Sequence, residues 1–175
     1  MTKRFYVDCG HRNNQSDFGA TWCSRKESKD ALDFAQLLAC NLKALGAEVM
    51  LSRDSEKTCK SLTSRTKQAN EWRADLYISI HRNASSAHTG KGAETLIYSL
   101  DKENKAVADK LQKALVEVGK FKDRGVKARP DLHVLKATKM IAVLLEIGFI
   151  DNEEDNQKFD KYKLELASAI AKQLL

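Results

Sequence analysis

Proline is nearly absent from this chain, with one residue among 175. Together with a hydrophobic fraction of 42%, that excludes a proline-rich or low-complexity disordered chain and fits a compact, helix-rich globule. Long apolar runs are missing too. No stretch approaches the roughly 20 residues that span a bilayer, so no stable membrane association is expected. Met1-Thr2-Lys3-Arg4 leads straight into a short strand, without the apolar segment and cleavage site of a signal peptide. The expectation is synthesis in the cytosol, with any export by a route the sequence does not encode. Cys9, Cys23, Cys40 and Cys59 form no C-x-x-C pair, which argues against a structural zinc site built on thiolates. Without an export signal they read as reduced. No run of basic residues reads as a nucleic-acid arm, so no nucleic-acid partner is expected. The excess of Lys and Arg, 30 against 24 acidic residues, favours anionic surroundings, such as nucleic acid, a membrane surface or an anionic cell wall.

No repeat or interdomain linker interrupts the chain, and its length suits one domain with a full core. Strand and helix patterns alternate. Phe5–Asp8 reads as a strand, Ser28–Leu45 as a helix stopped by Gly46, and Ala47–Leu51 as a strand. Ser61–Trp72 reads as a helix, Leu76–His81 and Ala93–Ser99 as strands, and Lys102–Val118 as a helix. Leu132–Leu135 and Ile141–Glu146 read as short strands, and two helical stretches close the chain from about Glu153. Such alternation predicts an α/β fold, a central, twisted, mostly parallel sheet flanked by helices.

Against this background Glu146 stands out. It follows Ile141-Ala142-Val143-Leu144-Leu145 and precedes Ile147-Gly148-Phe149, a setting that should bury it. A buried carboxylate needs a compensating cation: Arg, Lys or a metal ion. His11 and His81 also end short apolar strands, and in sheets of this kind sites gather at the carboxyl ends of strands. A catalytic zinc takes three ligands from His and Glu and leaves a fourth position open. Glu27 is the best third candidate. Ser24-Arg25-Lys26-Glu27 also fits a capping box, so capping and metal binding stand roughly even on pattern alone. His88 and His133 are not expected to be ligands. Asp8 reads as a residue that orients the His11 loop.

These stretches together resemble the amidase 3 family, the zinc-dependent N-acetylmuramoyl-L-alanine amidases of bacterial autolysins and phage endolysins. Val7-Asp8-Cys9-Gly10-His11 is similar to the family's opening D-x-G-H turn, followed by Gly19-Ala20 and Glu27. Ser52-Arg53-Asp54 and the spacing of Arg65, Ala69-Asn70 and Ala74-Asp75 fit the family pattern. So do Ser79-Ile80-His81-Arg82-Asn83-Ala84 and Arg124-Gly125-Val126-Lys127. Ala142 to Asn152 is nearly the family's A-V-L-x-E-x-G-F-x-x-N. The chain departs from the pattern at Arg12-Asn13, where two glycines are usual, at Lys139 to Ala142, where a proline is common, and at His133, usually aromatic.

The resemblance implies zinc ligands His11, Glu27 and His81, with Glu146 as the catalytic acid/base. It implies one Zn²⁺ per chain, peptidoglycan as substrate, and cleavage between N-acetylmuramic acid and L-alanine. It covers residues 1–175 as a catalytic domain without a wall-binding domain, and suggests phage-type release to the wall. Asn83 is expected to shape the pocket. The competing readings are a zinc peptidase acting on wall peptides, a non-catalytic wall-binding module with a structural metal, and a hydrolase dependent on Cys9.

Overall fold

The computed structural model describes residues 2–12, 17–56 and 60–175. Six strands form one sheet: β1 (Arg4–Cys9), β4 (Glu48–Leu51), β5 (Leu76–Asn83), β6 (Ala93–Ile97), β7 (Asp123–Ala128) and β8 (Ile141–Phe149). Their spatial order is β4-β1-β5-β8-β6-β7. All neighbours pair in parallel except β6 and β8, which are antiparallel. A small antiparallel ribbon, β2 (Thr21–Trp22) and β3 (Arg25–Lys26), follows β1 in the chain, where the sequence pattern marks no strand.

Side chains alternate across the sheet, as period-two strands require. Phe5, Val7, Ile78, Ile80, Val143 and Leu145 enter one core. Tyr6, Tyr77, Ala142 and Leu144 enter a smaller one on the opposite face. The larger core is covered by α1 (Glu27–Ala44), α3 (Lys102–Glu117) and α5 (Glu153–Leu174). In α1, Ala31, Phe34, Ala35, Leu38 and Leu42 form the buried stripe that their three- and four-residue spacing predicts, whereas Leu45, expected to continue it, lies past the helix end and is exposed. The smaller core is covered by α2 (Leu62–Trp72) and α4 (His133–Lys136). The expected α/β architecture with a mostly parallel sheet is borne out.

Three details differ from expectation. Residues 132–135 belong to a helix start, not a strand, because the adjacent Val134 and Leu135 are both buried against the α2 side, which alternation cannot provide. Strand β7 was not expected; it is an edge strand of half-exposed and exposed residues with no apolar alternation to mark it. The two closing stretches are a single helix, α5, begun by Asn152, whose side chain accepts from the Asp155 amide. Cys9, Cys23 and Cys40 are free thiols; Cys59 lies outside the described residues, as does Asn13 of the altered His11 turn. Among the described residues no helix is long and apolar enough to cross a membrane.

Candidate functional site

His11 lies just past the end of β1, His81 near the end of β5, and Glu27 at the first position of α1. The structure brings these three together. Their ligating atoms lie within 4.8 Å of one another. Glu27 Oε2 is 3.1 Å from His11 Nε2, and Glu27 Oε1 is 2.8 Å from His81 Nδ1. The imidazole rings meet edge to face, 5.0 Å between centroids. His88 and His133 lie elsewhere: His88 Nδ1 is 2.9 Å from Asp151 Oδ2, and His133 is beside Thr66.

Local chain geometry makes this convergence possible. Gly10 lies so close to β5 that a Cβ there would sit 2.4 Å from the Ile80 carbonyl and 2.7 Å from His81 Cε1. Gly19 has φ +70, and a Cβ there would come within 2.4 Å of His11 Cδ2 and 2.5 Å of Glu27 Oε2. These glycines leave room where the backbone closes on the ligand set. Of the two readings open for Glu27, the capping box is not formed, since no side chain caps α1. Its carboxylate instead accepts from the Ala20 amide at 2.8 Å and the Arg82 amide at 3.1 Å. Those bonds fix both oxygens toward the histidines.

Burial works against charge on each of the three groups, yet their mutual attraction prevails. His81 is pushed up to about 9 and His11 is raised, both by hydrogen bonds and attraction to Glu27. Glu27 is held far below the usual carboxylate range by the two imidazoles. A site that stabilises positive charge between two nitrogens and a carboxylate has the donor set and electrostatics of a cation site.

Two supports surround this set. His11 Nδ1 is 2.6 Å from Asp17 Oδ1, the carboxylate contact that fixes a ligand imidazole's tautomer. Sequence reasoning missed Asp17; its place in a polar loop after His11 was the available signal. Asp8 is fully buried and accepts from Ser79 Oγ at 2.8 Å and Arg65 Nη1 at 3.2 Å. Arg65 Nη2 also donates to the His11 carbonyl at 2.6 Å. Asp8 thus acts on the loop through Arg65.

Glu146 occupies the next strand. In register, His81 of β5 pairs with Glu146 of β8, and Glu146 pairs with Glu94 of β6. The residue is half-buried rather than enclosed, but its Oε2 is buried without a hydrogen-bond partner among the described residues. Burial raises it to about 7, against the attraction of His81. Of the cations named to compensate Glu146, neither an Arg nor a Lys bonds to it among the described residues. Glu94 is the carboxylate with such partners: Arg124 Nε donates to it at 2.8 Å, and Lys127 and Asn83 also bond to it. Glu94 was missed because one Glu inside Ala93–Ile97 reads as an outward-facing position. Cys9, the rival nucleophile, is buried with its thiol against the Arg53 carbonyl, and burial pushes it up to about 11. That leaves little thiolate near neutrality.

The family model described as N-acetylmuramoyl-L-alanine amidase matches residues 6–175. The chain belongs to that family. Among its amidase relatives is CwlM of Bacillus licheniformis, 37% identical over 158 residues, covering 89% of this chain and 60% of that protein. The endolysin of Bacillus phage SPP1 is 36% identical over 163 residues, covering 89% of this chain and 58% of the phage protein. The chain therefore spans less than two thirds of these curated relatives. Among solved structures, the catalytic domain of the amidase CwlV from Paenibacillus polymyxa superimposes with a TM-score of 0.89 at 29% identity. That match covers 99% of this chain and 96% of CwlV's solved chain.

Proposed function

We propose that this chain is a peptidoglycan hydrolase that cleaves the amide between N-acetylmuramic acid and L-alanine, with zinc held by His11, Glu27 and His81. The observation that carries this reading is the adjacency of two unlike groups. One is a two-histidine, one-carboxylate set whose electrostatics favour a cation. The other is Glu146, one register step away, with a free buried oxygen. When bound, zinc supplies Lewis acidity toward water and the scissile carbonyl.

The chain's own residues supply the rest. Asp17 and the amides of Ala20 and Arg82 hold His11 and Glu27 in ligating orientation. Glu146 takes the proton of the attacking water and returns it to the leaving amine of alanine. Burial, which raises it to about 7, and nearby positive charge, which lowers it, leave it able to hold and release a proton near neutrality. Residues 1–175 act as the catalytic domain, and the site of action is the cell wall.

The test is clearing of purified peptidoglycan by the native protein, after chelation, and after zinc is restored, alongside Glu146→Ala. Clearing should stop on chelation, return with zinc, and be lost in the variant while zinc is retained. New L-alanine amino termini should appear without reducing sugars. Release of other amino termini with the muramoyl–alanine bond intact would make the protein a peptidase. Clearing unaffected by chelation would refute the metal mechanism.

A further inference from the structure

The register of the sheet lines up more than the proposed zinc ligands. His81, Glu146 and Glu94 are successive partners across β5, β8 and β6, so their side chains share one face. Next comes β7, with Arg124 and Lys127. Both reach back to the same Glu94 oxygen. Asn83, from the end of β5, donates to the other oxygen at 3.3 Å. Glu94 is thus a buried anchor, 8% exposed, and its two cations are not: Arg124 and Lys127 side chains are 33% and 44% exposed.

One carboxylate against two cations leaves a net positive charge on this face of the edge, since Asp123, the acid of β7, bonds Gln112 of α3 instead. Arg124 spends only Nε on Glu94, and its terminal nitrogens have no hydrogen-bond partner among the described residues. Its guanidinium carbon also lies over the Phe149 ring, 5.0 Å from the centroid, a contact that adds to the Glu94 bond in restraining it. A restrained guanidinium with an open fork matches the geometry of a carboxylate.

We propose that Arg124 and Lys127 form a subsite for a carboxylate of the wall peptide, on the leaving side of the cleaved amide. The proposal rests on the amidase reading and adds a specificity determinant to it. Neighbouring strands lie about 4.8 Å apart, so β7 is about 10 Å from Glu146 across β6. An extended peptide covers about 3.3–3.6 Å per residue. The recognised carboxylate therefore belongs to about the second or third residue counted from the scissile bond. Asn83 and Glu94 hold the two cations at that distance and do not touch substrate; they are positioning residues.

The test uses soluble N-acetylmuramoyl tripeptides with the zinc-loaded protein. One form carries a free carboxylate on the second residue, one on the third, and one has both as carboxamides. The wild type should prefer a free-acid form over the diamide by about tenfold or more in kcat/KM, mainly through KM. Arg124→Gln and Lys127→Gln should each lower that ratio toward one, with zinc content unchanged. If Arg124→Gln does not fold, Lys127→Gln, at the more exposed position, decides. A wild-type ratio near one, or a ratio retained in the variants, overturns the subsite while leaving the amidase reading intact. Failure to cleave any of the three forms overturns the amidase reading and the subsite with it.

Discussion

Glu146→Gln should make the metal-free protein more stable while abolishing its chemistry. The native carboxyl has a buried oxygen without a hydrogen-bond partner among the described residues and sits at about 7 instead of the ordinary 4.5. The folded acid therefore binds its proton more tightly than the unfolded one. Its contribution is full below pH 4.5 and is lost as pH climbs through about 7. At about 1.4 kcal/mol per pH unit, ionising it in the folded state costs about 3 kcal/mol by pH 8. Glutamine keeps the shape and cannot ionise. In chelator at pH 8 the variant should melt roughly 6–12 °C above the wild type, and most of that gap should vanish at pH 5. Urea denaturation at both pH values gives the same comparison as free energies. Restoring zinc should narrow the gap, because nearby positive charge stabilises the native carboxylate. A stability difference that does not change with pH would refute the reasoning, whatever happens to activity.

Asp17→Asn removes the charge that orients the His11 ring and should weaken zinc affinity by about 10–100-fold, measured by competition with a chromophoric chelator. Arg65→Met leaves Asp8 buried and uncompensated; it should cost about 3–5 kcal/mol by urea denaturation, and a loss under 1 kcal/mol would deny the pair its structural role. Zinc binding to the metal-free protein at pH 7 should release protons, because His81 sits near 9 there and a ligand imidazole must be neutral. Titration calorimetry in buffers of different ionisation enthalpy reads that release, which should fade above pH 10.

Three of the proposed site residues were legible for a simple reason. His11 and His81 each close an apolar run, which marks a strand end even without coordinates, and Glu146 is a charge embedded within one. Glu27 was ambiguous because S-x-x-E describes a local bond, whereas the bonds Glu27 makes reach the Ala20 and Arg82 amides across the fold. Asp17 offered only its place in a polar loop, and Glu94 nothing, because their partners are set by loop closure and strand register. The missed strand β7 has the same cause: its half-exposed edge carries no alternation, and pairing with β6 alone makes it a strand.

The reversed direction of β6 has a consequence for how this enzyme family can vary. Asn83 closes β5 and Ala93 opens β6, so the intervening segment 84–92 leaves and re-enters the sheet at the same end. Its roots are fixed by Glu94 and by the bond from the Ile150 amide to the Asn83 carbonyl. Sequence exchanged between those roots would leave the ligand set in place, provided that Gly90 against the Phe149 ring and the Gly92 amide on Asp155 are kept. That span is a natural cassette for variation at this end of the sheet.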